Sequence, residues 1–353
     1  MVVNSQKKKD SIHKCMFNKF IISKDNLINN IKQVAKLNPN SKICAMVKAN
    51  AYGVGVNQVL QIIDNYVDFY GVACFFEAQK LKKLTKKKIL IVGPIEKCTI
   101  SKRFSYTCSS LEDVRFLKYL NKKINIHLKV NTGMNRFGFS NRDEFTLALK
   151  EIKFSKLKLE GVYTHFATDD DFVKTQMQEF SKFLQVVKEN RFFPIVHADN
   201  SSVNLKFNHN LNMVRIGFNL YNLDSKNFKP VVEIKSQVVQ INNVKKSELV
   251  GYDYRCVASK DMKVAVVPVG YADGFSTKLI GFNLMVKNKP CKILNVCMDC
   301  FMIDVSNLNL KKGTEIYILN NFNSLNRYSK YLGVSEYEVL TNFSFMRADK
   351  IVN

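Results

Sequence analysis

Short apolar runs alternate with amphipathic, helix-length segments along the first two thirds of the chain: Lys42–Val47, Phe69–Cys74, Ile89–Val92, Ser105–Thr107, Ile124–Val130, Leu159–His165, Ile195–Ala198 and Met213–Ile216. Eight such runs separated by helical stretches predict an α/β fold, a parallel (β/α)8 TIM-type barrel, because a parallel strand has to be returned to the sheet by a crossover helix. Beyond about residue 235 the pattern changes. Runs at Val231–Gln240, Met262–Val269, Leu284–Val286, Cys291–Leu294, Met302–Val305 and Glu315–Leu319 follow one another with Gly and Pro turns and no helical periodicity between them. That predicts a C-terminal, mostly-β domain. The boundaries expected are 17–235 for the barrel and 236–353 for the β domain, with an N-terminal extension, 1–16, as a candidate addition to the latter.

Composition narrows the function more than the fold. The 353 residues, 46% hydrophobic, suffice for a barrel of about 250 residues and a second core. A net charge of +24 raises nucleic acid as a partner, but the lysines fall in short scattered runs, Lys7–Lys9, Lys86–Lys88, Lys122–Lys123 and Lys311–Lys312, without an arginine stripe or interleaved aromatics. A solvated surface is the expectation, with no nucleic acid partner. No apolar stretch reaches the roughly 18–20 residues that span a bilayer, and Met1–Lys14 is polar, so no membrane association and a cytoplasmic location are expected. Nine cysteines, an odd number without an export signal, read as reduced thiols. Cys297 and Cys300 have C-x-x-C spacing, but with no second pair or nearby histidines they are not read as a zinc or redox site, and no metal is expected.

Chemistry in a parallel barrel gathers at the C-terminal strand ends, which singles out Lys48, Lys129, His165, His197 and Arg215. Lys48 follows Ile43–Val47 and opens a small-residue turn. A lysine there is either solvated or an amine able to condense with a carbonyl cofactor, with Tyr52 within reach of the same pocket. Strand alternation puts Cys44, Met46 and Lys48 on one face, among buried groups. Between Ile124 and Val130 the apolar positions alternate with Asn125, His127 and Lys129, giving a polar inner face. Lys129 is therefore either paired with a carboxylate not located by the sequence or chemically altered. Arg136 follows through a Gly-containing loop and suits a carboxylate. His165 and His197 fit a hydrogen-bonded structural role as well as a chemical one. After His197, Asp199–Ser202 supplies hydroxyl and backbone donors, and Gly217 admits an anion close to the backbone, so Ser201 and Gly217 outline a phosphate cup. Tyr271, between Gly270 and Gly274, and Asp299, beside Met298, are either ordinary turn residues or part of a site.

Together, Val47-Lys48-Ala49-Asn50-Ala51-Tyr52-Gly53, Leu128–Arg136, Thr164-His165-Phe166-Ala167-Thr168, His197-Ala198-Asp199-Asn200-Ser201, Val214-Arg215-Ile216-Gly217, Val269–Gly274 and Val296–Asp299 resemble the motifs of the alanine racemase family, fold-type III pyridoxal-phosphate (PLP) enzymes. They stand in the family's order and at similar spacing over nearly the whole chain. The resemblance implies pyridoxal 5'-phosphate as cofactor, with Lys48 as its Schiff-base lysine and as the base on one face of the substrate Cα. Tyr271, from the partner subunit of a homodimer with shared active sites, would be the base on the other face, since racemisation needs a proton removed from one face and returned to the opposite one. It further implies Arg215 at the pyridine nitrogen, His165 tuning Tyr271, and Tyr52, His197, Asn200, Ser201 and Gly217 around the cofactor. Arg136, Met298 and Asp299 would meet the amino acid substrate, and Lys129 would be a carbamate. The implied role is supply of D-alanine for peptidoglycan. A broad-specificity serine or lysine racemase of the same fold is the alternative. Asn131, Asn135, Asn295 and Phe345 depart from residues common in the family, respectively Asp, Gly, Arg and Tyr.

Overall fold

Parallel pairing around a full circle closes the eight predicted barrel strands on themselves. In the computed structural model, which describes residues 17–207, 209–221, 227–321, 323–343 and 346–353, β1 is Lys19–Ile22 and the barrel follows. Its strands are β2 (Lys42–Met46), β3 (Phe69–Val72), β4 (Lys88–Ile91), β5 (Ser105–Cys108), β6 (Asn125–Lys129), β7 (Lys158–Tyr163), β8 (Ile195–His197) and β9 (Met213–Ile216). β3 and β5 are buried at every position, as strands covered on both faces must be. Register then sets the site. Lys129 pairs with Tyr163, Tyr163 with His197, His197 with Met213, and the closing pair β9–β2 sets Arg215 opposite Cys44.

The crossover helices bury one stripe each. Helix Arg142–Lys153 buries Phe145, Ala148, Leu149 and Ile152, the i, i+3, i+4, i+7 spacing of an amphipathic helix, and is capped by Asn141 Oδ1, which accepts from the N–H of Asp143 and Glu144 at 2.7 and 3.1 Å. Phe145 meets Phe139 and Phe183 edge to face, centroids 5.4 and 5.2 Å apart, each pair adding about 0.5–1.5 kcal/mol beyond area burial.

The remaining strands are β10 (Val232–Gln237), β11 (Gln240–Val244), β12 (Met262–Val267), β13 (Asn283–Val286), β14 (Lys289–Val296), β15 (Phe301–Asp304), β16 (Glu315–Leu319) and β17 (Asp349–Val352). They form a four-stranded sheet ordered β16-β10-β1-β17 and a five-stranded sheet ordered β11-β12-β15-β14-β13. β1 falls within the stretch expected to be barrel yet pairs with β10 and β17. Its burial alternates, with Phe20 and Ile22 buried between half-buried neighbours, which suits a sheet with one covered face. The expected run Val231–Gln240 divides into β10 and the start of β11, which lie in different sheets, with no Gly or Pro at the break. Helices Leu325–Leu332 and Glu336–Asn342, capped by Ser324 and Ser335, follow the last of the runs expected from the sequence, Glu315–Leu319. The chain divides into two compact units: the described residues up to Asn26 with Tyr52–Gln58 and Pro230–Asn353, and Leu27–Ala51 with Val59–Lys229. The expected extension 1–16 lies outside the described residues. Among them, no helix is long and apolar enough to cross a membrane.

Candidate active site

Lys48 stands at the start of a left-handed turn. Ala49, Asn50 and Ala51 have φ and ψ near +50°, and Tyr52 follows at φ 55°. Four successive non-glycine residues in this region cost about 1–2 kcal/mol each, so surrounding structure has to hold them there. Glu77 does so, its Oε1 accepting the Ala49 N–H at 2.7 Å while Oε2 accepts the Ala73 N–H at 2.8 Å. The Val47 carbonyl accepts the Ala51 N–H at 2.9 Å. Burial lowers the Lys48 pKa from the usual lysine value, the Arg136 charge lowers it further, and Glu77 opposes both. The turn thus presents an amine that gives up its proton more readily than a solvated lysine.

A chain of hydrogen bonds crosses the barrel interior behind it. Arg215 NH1 lies 2.6 Å from His197 Nδ1, His197 Nε2 lies 2.9 Å from His127 Nδ1, and His127 Nε2 lies 3.3 Å from Glu160 Oε2. Arginine only donates, which fixes the direction of the chain: His197 accepts at Nδ1 and donates from Nε2, and His127 does the same toward Glu160. Both imidazoles are neutral, their pKa values lowered first by burial. For Glu160 the unfavourable burial is outweighed by donation from His127, Lys88 and Ser105, which holds its pKa at about 2. His127 packs so closely on β7 that a Cβ at Gly161 would lie 2.1 Å from its Nδ1. Tyr163 stacks on His197, centroids 4.6 Å apart, and carries the Arg215 guanidinium over its ring at 4.9 Å.

Arg215 NH2 also donates to the Thr164 and Ala198 carbonyls at 2.8 and 2.9 Å and lies 3.2 Å from His165 Nδ1. His165 is therefore an acceptor at Nδ1 with its proton on Nε2, and burial and Arg215 keep its pKa well below the ordinary histidine value. Lys129 is buried at the same level. Its pKa is lowered to about 8 by burial and then by Arg136, Arg215 and Lys48. Among the described residues no carboxylate pairs with it. Beside this cationic cluster, Ser201 Oγ accepts the Gly217 N–H at 3.1 Å, and Asn200 Oδ1 caps helix Ser201–Lys206 through the Ser202 and Val203 N–H groups, both at 3.1 Å. The structure thus gathers Lys48, Lys129, Arg136, His165, His197, Asn200, Ser201, Arg215 and Gly217 in one unit.

Tyr52, Tyr271, Met298 and Asp299 belong to the other unit. There Tyr52 packs against Tyr337, centroids 6.1 Å apart. Tyr271, 47% exposed, heads a short turn lying on the β14–β15 hairpin tip: its N–H donates to the Cys297 carbonyl at 3.0 Å, and the Ala272 N–H to the Met298 carbonyl at 3.1 Å. A Cβ at Gly270 would lie 2.3 Å from each of those oxygens, so only glycine permits this approach. The buried Asp273 accepts the Gly270 N–H at 2.9 Å and is gripped by Arg347, Nε to Oδ1 at 2.8 Å and NH2 to Oδ2 at 2.9 Å. Arg347 NH1 reaches Asp299 Oδ1 at 2.6 Å, tying both turns together. Tyr271, Met298 and Asp299 line a cavity of about 690 Å³.

The chain matches the model of the alanine racemase N-terminal domain over residues 22–225 and that of the alanine racemase C-terminal domain over residues 231–351. It belongs to the alanine racemase family. Curated alanine racemases from Borreliella burgdorferi and Treponema denticola are 33% and 36% identical to it. The matches cover 91% of this chain and 94% of the relative for the first, and 81% and 83% for the second. Among solved structures, alanine racemase from Bacillus anthracis with bound L-Ala-P is 28% identical at a TM-score of 0.89, covering 96% of this chain and 95% of that one. The Bartonella henselae alanine racemase, described with covalently bound pyridoxal phosphate, shares the fold at a TM-score of 0.87 and 21% identity, covering 96% of this chain and all of that one, 100%.

Within this alanine racemase fold the departures have local explanations. Asn135 sits at φ 55°, a left-handed position that asparagine tolerates better than most residues, and Asn131 Oδ1 accepts its N–H at 2.9 Å. Asn295 is buried and donates to the Val250 and Tyr252 carbonyls, both at 3.1 Å. Phe345 lies outside the described residues. Sequence reasoning missed Glu77, Glu160 and Arg347. A charged residue inside an apolar strand run, Glu160 between Leu159 and Gly161, was the one signal available.

Proposed function

We propose that this chain interconverts L- and D-alanine with pyridoxal 5'-phosphate held at the barrel mouth, as a cytoplasmic homodimer supplying D-alanine for peptidoglycan. The observation that carries the reading is Lys48, an amine of lowered pKa on a braced left-handed turn, beside the cationic cluster of Lys129, Arg136 and Arg215. The donor set fits such a cofactor. Lys48 offers an amine for its aldehyde, the Ser201 hydroxyl with the Gly217 N–H suits its phosphate, and the buried Arg215 is a partner for its ring nitrogen. His197 orients Arg215, Asn200 caps the helix that begins at Ser201, and Tyr52 is assigned to the phosphate by the family resemblance alone.

When bound, the cofactor draws electron density from the Cα of an amino acid joined to it and so makes the Cα–H acidic. Lys48 then moves the proton on one face. Tyr271 of a second copy moves it on the other, helped by His165, whose Nε2 proton is available for donation to the phenolic oxygen. Arg215 holds its own protons tightly and leaves the ring nitrogen without one, which restrains side reactions. Arg136, Met298 and Asp299 hold the substrate, and a carbamate on Lys129 would supply the negative charge that the cluster lacks.

The test is to incubate the purified protein and the cofactor with L-alanine, L-serine and L-lysine and to quantify each D-enantiomer by chiral chromatography. D-alanine should form fastest, and Lys48→Ala should lower its formation by at least about 10³-fold, the scale of losing a nucleophile and base together. Absence of every D-amino acid from protein that binds the cofactor would overturn the reading.

A further inference from the structure

Cys297 and Cys300 flank Met298 and Asp299, the two-residue tip of the β14–β15 hairpin. Val296 pairs with Phe301 in antiparallel register, and the Cys297 N–H donates to the Cys300 carbonyl at 2.8 Å, so the cysteines continue the ladder as direct cross-strand partners. Such hydrogen-bonded partners have Cα atoms about 5.5 Å apart, inside the roughly 4.4–6.8 Å that a disulfide spans. The Cys297 sulfur is near enough to the Cys300 thiol to raise its pKa. Both are half-buried and line the cavity that Tyr271 also lines, so a small reagent can reach them. The sequence supplies no second C-x-x-C pair and no histidine near this one. Zinc needs those, but a disulfide needs only two thiols.

We propose that Cys297 and Cys300 form a reversible dithiol–disulfide site, oxidised by a low-molecular-weight disulfide, that alters the hairpin tip on which Tyr271 rests. The Cys297 thiolate attacks one sulfur of the reagent, forming a mixed disulfide and expelling one thiolate. Cys300, having lost its proton to solvent, attacks Cys297 Sγ, closes the bridge and expels the second thiolate. Two protein thiols are oxidised and one reagent disulfide is reduced to two thiols. Burial, with the neighbouring sulfur adding to it, pushes the Cys300 thiol up to about 11, and the exchange balances equally with the two cysteines' roles reversed. The bridge closes a loop of only four residues, which gains little from chain entropy and so stays reducible. Its effect passes to Tyr271 through the two backbone hydrogen bonds from Tyr271 and Ala272 to the tip carbonyls, at 3.0 and 3.1 Å. The kinetic consequence rests on the proposed role of Tyr271, whereas formation of the bridge does not.

Reduced holoenzyme is exposed to graded ratios of oxidised to reduced glutathione, quenched by alkylation, and followed by peptide mass mapping alongside D-alanine formation. The map should show a Cys297–Cys300 bridge lighter by two hydrogens, while the exposed Cys98 carries a glutathione adduct. Racemisation should fall by roughly 10- to 100-fold, the scale of an approximately 1 Å misplacement, and return with dithiothreitol. Cys300→Ser should keep its activity when reduced and take an adduct at Cys297 without bridging. Two cysteines that stay reduced or carry separate adducts while Cys98 is modified would refute the site. A bridge in the wild type that leaves the rate unchanged would refute the switch. A reduced protein that racemises nothing counts against the enzyme reading, and the mass map still decides whether the bridge forms.

Discussion

A single buried lysine shows how strongly neighbours decide chemistry. Lys129 has cations where a buried lysine ordinarily has a carboxylate, and its pKa near 8 makes about half of it neutral amine at that pH. A neutral amine adds carbon dioxide, and the resulting carbamate would balance Arg136 and Arg215. With ¹³C-labelled bicarbonate the wild type should show a carbamate carbon resonance that is absent from Lys129→Gln. Lys129→Ala should lower kcat/KM by about 10- to 100-fold, the worth of one charge-assisted hydrogen bond. The unmodified lysine also has a linkage signature. Its folded-state pKa lies below the ordinary 10.5, so between about pH 8 and 10.5 the unfolded chain binds the extra proton. In buffer free of carbon dioxide, stability should therefore rise with pH across that window, and less so in Lys129→Met.

Strands rather than single residues build the polar chain through the barrel. Glu160 on β7, His127 on β6, His197 on β8 and Arg215 on β9 meet because adjacent strands hold them in register. Glu160→Gln keeps the shape and removes the charge at the chain's end. Thermal or denaturant unfolding should show a loss of about 1.5–3 kcal/mol, the worth of the His127 and Ser105 hydrogen bonds to a buried carboxylate, with the half-exposed Lys88 adding little. Nitrogen-15 NMR of the imidazoles should find protons on Nε2 of both His127 and His197 in the wild type, and a mixture of tautomers in the variant. The pH dependence has a definite sense. The folded-state pKa of Glu160, about 2, lies below the ordinary 4.5, so its contribution is complete above pH 4.5 and is lost as pH falls toward 2.

At the scale of the whole molecule, the proposed two-base chemistry requires two chains, because Lys48 and Tyr271 are expected from different subunits of the active dimer. Mixing subunits tests this without a structure of the complex. Lys48→Ala and Tyr271→Phe homodimers should each be nearly inactive. Unfolded together and refolded, they should regain roughly a quarter of wild-type activity, since half the dimers are mixed and each mixed dimer holds one intact site. No recovery, with mixed dimers verified by mass spectrometry, would place both residues in one chain's site.

The barrel strands, the change of pattern near residue 235 and the residues of the Lys48 turn were all legible before any coordinates, because run length, alternation and turn residues are local properties of a chain. β1 escaped that reading, since four residues of half-buried strand look alike whether they join a barrel or an open sheet. The break between β10 and β11 escaped it too, for want of a turn residue. Family motifs supplied the expected roles, yet the groups that hold the motif residues came only with the fold. Glu77 under the Lys48 turn, Glu160 at the end of the histidine chain and Arg347 on Asp273 are ordinary residues by composition. Strand register and chain return bring each to its partner, over up to 74 positions for Arg347 and Asp273, and a hydrogen bond between distant residues leaves no periodic trace in either. Local patterning therefore specifies which elements form and what chemistry they carry. Long-range packing decides which donors meet which acceptors, and with that the lowered pKa values of Lys48, Lys129, His165 and His197.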